Sequence, residues 1–445
     1  MPASPGSLHH QCWLDYSPPV LASLGMSSVN RHSCAMRLDS VQQSDTLATT
    51  AVPVPEPSEL ARRYQRSGDV LWVVDTAVGF LIPALLLWSG LSARMRTWAA
   101  RTGRAGRFRT IAFYGVLYIV VMSLLGLPLA WYEGFVREHA YGLSTESPSR
   151  WLGDWIKALG LSCLVAPLLL WIPYWLLRKS PRRWWLWTGL AAIPLSILAL
   201  IVTPLWVEPL FNQFGPLENK ALETQILALA SRAGIDRSRV YEVKKSVETK
   251  KVNAYVTGFG GTKRIVLWDT ILARLTPSEI LFVVGHEMGH FVLHHTLAVI
   301  LGATVLATLS LYTVHRLAGH LIARYAPRFG FDRLDDVASL PLLLLLSGVV
   351  SFAVTPVVLA GSRWMEHEAD RFGLELTRDN RAAALTFVRL EEQNLDLPRP
   401  GLLYQLWRGS HPSLAERIEF ANRYRPWSTG GMLRYGHFFR SATGP

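Results

Sequence analysis

The chain has 445 residues, half of them hydrophobic and only 18% charged, with 45 lysines and arginines against 33 acids for a formal net charge of +12. So apolar a composition argues against a soluble globular protein of this length and against a disordered chain. The basic excess is scattered between apolar runs instead of forming one groove-reading element, which excludes a soluble nucleic-acid-binding protein and makes anionic lipid head groups the natural counter-charge.

Residues 1–60 carry Pro, Ser and polar residues without periodicity, and they lack the basic stretch and apolar core of a signal peptide. This segment reads as disordered, with Met26 and Met36 as alternative starts. Apolar runs follow at roughly 70–93, 111–132, 156–177 and 184–207, each near the ~20 residues that cross the hydrocarbon. They define an N-terminal membrane domain over 61–207. Pro194 and Pro204 interrupt the fourth run, which on its own would also suit a buried core helix. Trp171, Trp175, Trp184, Trp185 and Trp187 suit an interfacial belt. Cys12, Cys34 and Cys163 have no metal-ligand spacing and imply no disulfide framework.

A second domain is expected over 208–425. Asn253, Ala254 and Tyr255 read as a strand, with Gly258, Gly260 and Gly261 turning into a second strand at 264–268. Such a small β-hairpin could pair its edge with an extended substrate backbone, and Asn253 could bond the substrate directly; a plain structural hairpin fits the same residues.

Thr276-Pro277-Ser278-Glu279 then supplies an N-cap, a proline at the first helical position and a capping-box glutamate. The helix it opens carries His286-Glu287-Met288-Gly289-His290, an HExxH motif. Residues i and i+4 share a helix face, so His286 and His290 can reach one tetrahedral Zn²⁺, leaving Glu287 beside the ion as a base for metal-bound water. The chemistry implied is peptide-bond hydrolysis.

Two more runs, 297–315 and 339–360, bring the spans to six. A third protein ligand must come from His294, His295 or a downstream acid. The longer HExxHxxGxxH pattern fails, because Leu293 and Thr296 stand at its glycine and histidine positions. Directly after the sixth span, Ser362-Arg363-Trp364-Met365-Glu366-His367-Glu368-Ala369-Asp370 places Glu366 and Asp370 on one helix face. Glu366 would complete a His, His, Glu set, and Asp370 could accept the outer N–H of a ligating histidine. Glu368 could compete for the ion, and a charged helix end leaving the membrane would present the same residues. Residues 426–445 read as a tail.

HExxH followed by Ser-Arg-x-x-Glu-x-x-Ala-Asp resembles the integral-membrane gluzincins, which include type I CaaX prenyl proteases and HtpX-type proteases. Pro209-Leu210-Phe211-Asn212-Gln213-Phe214, Val252-Asn253-Ala254-Tyr255, Arg264-Ile265-Val266-Leu267-Trp268-Asp269-Thr270 and His411-Pro412-Ser413-Leu414-Ala415-Glu416-Arg417 resemble the prenyl-protease branch in order and spacing. The resemblance covers roughly 70–425. It implies one zinc ion held by His286, His290 and Glu366, Glu287 as general base, Asp370 behind a ligand, and His411 with Arg417 at the oxyanion.

The expectation is therefore a predominantly α, multi-pass membrane protein of about six spans with a gluzincin-type catalytic domain, acting on a peptide or protein substrate. The resemblance implies prenylated C-terminal peptides. Alternatives are a quality-control protease acting on unprenylated misfolded or signal-derived peptides, and a membrane scaffold or transporter with a vestigial zinc site. Arginine outnumbers lysine 37 to 8, a bias associated with GC-rich bacterial genomes and hence a bacterial cell membrane. Arginines crowd the first, third and fifth loops, which the positive-inside rule puts in the cytoplasm, with the catalytic segments outside. The eukaryotic members resembled here imply the opposite orientation.

Overall fold

The computed structural model describes residues 51–102, 106–236, 238–257 and 264–440. Residues 1–50 of the segment expected to be disordered, and the glycines 258, 260 and 261 of the expected turn, lie outside these.

Ser58 caps the first helix by accepting the Ala61 N–H at 3.0 Å, and α1 runs over Glu59–Trp88. Next come α2 (Leu91–Thr102), α3 (Arg107–Trp131), α4 (Pro148–Lys179) and α5 (Trp184–Val202). Both α3 and α5 continue through wider π-helical turns, at Tyr132–Arg137 and Thr203–Val207, each beginning within a few residues of a proline. The second half contains β1 (Phe214–Pro216), α6 (Lys220–Arg232), β2 (Arg239–Val243), β3 (Ala254–Thr257), β4 (Arg264–Trp268), α7 (Asp269–Arg274) and α8 (Pro277–Val292). It continues through α9 (His295–Phe329), α10 (Leu340–Thr377), α11 (Asn380–Asn394), α12 (Leu402–Trp407) and α13 (Leu414–Arg423).

Six helical segments are long and apolar enough to cross a bilayer, as expected, and each is longer than its apolar run. Leu81, Leu124, Leu164, Leu309 and Val357 all stand more than half exposed on them. Lipid, in place of a protein neighbour, accounts for that exposure. At one end of the bundle, Arg96 pairs with Asp336 and Arg107 with Asp335, so the arginine-rich loops gather together. The half that follows α5 sits at the other end, where it pairs with residues at the close of α3 and the start of α4.

The expected hairpin is present as β3 and β4, antiparallel with Ala254 opposite Leu267. It belongs to a four-stranded sheet of order β1-β2-β4-β3, in which β2 and β4 run parallel. Leu267, Ile265 and Ala254 join Val284, Met288 and Phe372 in one core, which fixes α8 against the sheet. Ion pairs bind this half to the membrane helices: Lys251 Nζ lies 2.9 Å from Glu138 and Arg150 lies 2.5 Å from Glu248.

Both ends of the described chain are more structured than their composition suggests. Val52 exchanges two hydrogen bonds with the Asn422 side chain, at 3.0 and 2.8 Å, so order begins before residue 60. The segment after α13 is a strap across α10: Glu375 accepts the backbone N–H of Arg434 at 2.9 Å and of Tyr435 at 2.7 Å, and Phe439 packs edge-on against Phe372.

Candidate metal centre

The capping box anticipated for α8 is formed: Thr276 N–H donates to Glu279 at 2.7 Å and Glu279 N–H donates back to the Thr276 hydroxyl at 3.4 Å. The helix carries His286 and His290 on the face turned to α10. Nε2 of His286 lies 3.2 Å from Nε2 of His290 and 3.2 Å from Oε2 of Glu366, while Nε2 of His290 lies 3.4 Å from Oε1 of Glu366. A tetrahedron with ligands 2.0–2.1 Å from its centre has edges of about 3.4 Å, so the three side chains already stand at the spacing of an ion's ligands. Glu366 Oε2 is buried without a hydrogen-bond partner, as a coordinating oxygen awaiting a cation would be. Among the described residues, these three are the only His, Cys, Asp and Glu group converging in this way.

Glycines let α8 and α10 approach closely enough for this. A Cβ on Gly289 would meet Phe372 Cβ at 3.0 Å and Ala369 Cα at 3.2 Å, and one on Gly373 would meet the His286 backbone nitrogen at 3.0 Å. Neither glycine carries a packing signal in the sequence, although Gly289 lies inside the motif.

Asp370, fully buried, sits behind His286 with Oδ1 2.8 Å from Nδ1, a contact short of good hydrogen-bond alignment. Burial opposes a charge on His286, but Asp370 and Glu366 outweigh it and raise the ring to about 10. Glu287 shares the helix with both histidines; burial pushes its carboxyl up, against the pull of His286 and His290.

A second capping box, at Ser413 and Glu416, starts α13 and orients Arg417. Arg417, which the resemblance implies at the oxyanion, is bound to a carboxylate. Its Nε and one Nη donate to Asp370 at 2.8 and 2.6 Å, and its closest approach to Glu366 is 4.0 Å. His411 instead reaches the ligand cluster directly, with Nε2 3.3 Å from Glu366 Oε2 and a side chain 40% exposed. Its other nitrogen lies 2.8 Å from the Ser410 hydroxyl.

Of the remaining candidates, β3 lies against α8 and forms a sheet edge among the described residues. The Ala254 side chain faces the core, so only its backbone is available at that edge. Asn253 Oδ1 accepts the Ala254 N–H at 2.9 Å, and the Tyr255 hydroxyl reaches Glu208 at 3.5 Å. Glu368 points away from the centre, to Arg371, the Tyr435 hydroxyl and Arg434 of the strap. His294 takes a left-handed turn between α8 and α9, with φ 55°, and His295 is buried against His290.

A bundle of bilayer-length helices carrying an HExxH helix and a convergent His, His, Glu group defines an integral-membrane metallopeptidase. Residues 216–425 match the model of peptidase family M48, and residues 54–213 match that of the CAAX prenyl protease N-terminal region of five membrane helices. The chain belongs to peptidase family M48. The matched N-terminal region contains α1 to α5, of which α1, α3, α4 and α5 have bilayer length.

The chain is 38% identical over 370 residues to the uncharacterized metalloprotease YhfN of Bacillus subtilis, covering 83% of this chain and 86% of that one. It is 28% identical to a CAAX prenyl protease 1 homolog of Dictyostelium discoideum, over 81% and 84% of the two chains. Its fold matches a crystal structure of S. mikatae Ste24p with a TM-score of 0.71 and 23% identity, over 85% of this chain and 93% of that one. Metal-dependent hydrolysis of peptide or protein substrates follows from the family.

Proposed function

We propose that the chain is a zinc endopeptidase in which His286, His290 and Glu366 hold one Zn²⁺ and Glu287 is the general base, and that it cleaves prenylated C-terminal peptides. The carrying observation is the triangle of ligand atoms with edges of 3.2–3.4 Å, two corners of which, His286 and His290, share a helix with Glu287. Zinc at this triangle supplies a Lewis acid that activates water and polarises the scissile carbonyl.

Glu287 takes the proton of the attacking water and passes it to the leaving amine; burial, which raises its carboxyl, suits it to both steps. His411 donates from Nε2 to the oxygen that becomes negative as the tetrahedral carbon forms. Arg417 acts from behind, holding Asp370 and lending positive field without entering the pocket. The β3 edge, entered at Asn253 and begun by Ala254 and Tyr255, pairs with the extended substrate backbone through the main-chain groups it turns away from β4.

Two lines support the prenylated substrate. The matched N-terminal region is that of CAAX prenyl proteases, and Glu366 lies on a helix of bilayer length, so that a lipid tail can share the bilayer with the enzyme. The test is cleavage by detergent-purified protein of a farnesylated CaaX peptide and its unprenylated twin. Cleavage of the prenylated peptide alone is expected. Equal cleavage of both would overturn that specificity in favour of a broader membrane peptidase.

A further inference from the structure

We propose that His295 is a positioning residue of the metal centre. It accepts the Nδ1–H of His290, which fixes the tautomer and ring orientation in which His290 turns Nε2 to the ion. The proposal rests on the ligand reading above and concerns a residue outside it.

The two Nδ1 atoms lie 2.9 Å apart, and the rings stand 5.0 Å apart at 73°. His290 Nε2 faces the other ligands, 3.2 Å from His286 Nε2 and 3.4 Å from Glu366 Oε1. A ring that offers its Nε2 lone pair to a cation carries its proton on Nδ1. That N–H therefore donates, and His295 must receive it on an unprotonated Nδ1 while holding its own proton on Nε2. Only a neutral His295 in that tautomer fits the geometry.

The backbone explains how a residue five positions further on can serve a ligand on the preceding helix. The last turn of α8 ends at Val292, and His294 adopts the left-handed region at φ 55°. That single left-handed residue separates the two helices, and His295, the first residue of α9, packs against His290 and is buried at 4% exposure. Histidine tolerates this region better than most residues, and the conformation persists where the surroundings impose it. Trp364, two residues before Glu366 on α10, lies 6.4 Å from the His295 ring. His295 thus touches a ligand from one helix and the approach to a ligand from another.

The two imidazole ligands are backed unequally. His286 has the Asp370 carboxylate, itself clamped by Arg417, and His290 has a neutral ring. A second carboxylate would push further electron density onto a centre already bound to Glu366 and blunt its Lewis acidity. A neutral acceptor orients His290 without that penalty.

The experiment measures metal binding to the full-length, metal-stripped protein in detergent by Co²⁺ and Zn²⁺ titration, with the Co²⁺ visible spectrum as a geometric readout. His295→Phe keeps a ring but removes the acceptor; His295→Asn keeps an acceptor oxygen near the same place. The expected result is about 10–100-fold weaker metal affinity and shifted Co²⁺ bands in His295→Phe, with most of both recovered in His295→Asn. Should His295→Phe not fold, His295→Leu against His295→Asn reads the same contrast. Affinity within twofold of wild type and an unshifted Co²⁺ spectrum in the acceptor-free variant would overturn the proposal. His290→Ala runs alongside: retention of the ion there would overturn the ligand reading itself, independently of what His295 does.

Discussion

Arg417 grips Asp370 in a two-point fork directly behind His286, with Nε to Oδ2 at 2.8 Å and Nη to Oδ1 at 2.6 Å. One carboxylate is thereby shared among α8, α10 and α13, since its Oδ1 also lies 2.8 Å from His286 Nδ1. Asp370→Asn should leave the fold intact, lower metal affinity by about 10–100-fold and halve the Arg417 fork. Arg417→Ala should cost more in stability, about 3–5 kcal/mol, because it strands a buried carboxylate. Arg417→Lys keeps the charge without the fork and should fall between. Chemical denaturation together with metal titration separates the two effects; equal stability of Asp370→Asn and Arg417→Ala would contradict the shared-carboxylate arrangement.

The raised His286 ring gives a pH prediction with a defined sign. In metal-free protein its folded value near 10 exceeds its ordinary value near 6.5, so protonation stabilises the fold. That contribution is fully present below about pH 6.5 and is lost as pH rises toward 10. Metal must displace the same proton, so apparent affinity should climb with pH across this window, by up to tenfold per unit, with release of a proton on binding. Calorimetry in buffers of different ionisation enthalpy measures that proton. No proton release at pH 7 would contradict the account.

Helix approach at the centre can be probed with two alanines. Gly289→Ala should destabilise by about 1–3 kcal/mol, because the new methyl meets Phe372 and the α10 backbone at 3.0 and 3.2 Å and exceeds any gain in helix propensity. Gly285→Ala meets its nearest neighbour, Thr377 Cγ2, at 3.4 Å and should be near neutral or slightly stabilising. Thermal unfolding of the pair, with metal retention measured beside it, tests the contrast; indistinguishable melting would show that close packing does not set the ligand spacing.

How much of this was legible in the sequence follows from what kind of information each feature needs. His286, Glu287 and His290 needed only helical spacing, and the capping box at Thr276 and Glu279 announced the helix. Glu366 and Asp370 were marked as one helix face, but their meeting with His286 depends on α9 and α10 folding back across the membrane, a long-range fact. The grip of Arg417 on Asp370 was not legible because composition gives no burial: once buried beside Asp370, a guanidinium is bound to that carboxylate. Gly373 carries no spacing signal, and Tyr435 reads as tail until its backbone is seen to bond Glu375. Strand β2, Arg239–Val243, was short and half polar, so its pairing with β4 was set by tertiary context.

Metal content and peptide hydrolysis of wild type beside Glu287→Gln separate the ligands of the ion from the base that works beside it. About one zinc per chain is expected in both proteins and hydrolysis only in the wild type, because the substitution removes the proton acceptor and leaves the ligand triangle of His286, His290 and Glu366 untouched. Wild-type turnover by Glu287→Gln would contradict this, as would a wild-type protein that hydrolyses peptide with no metal bound.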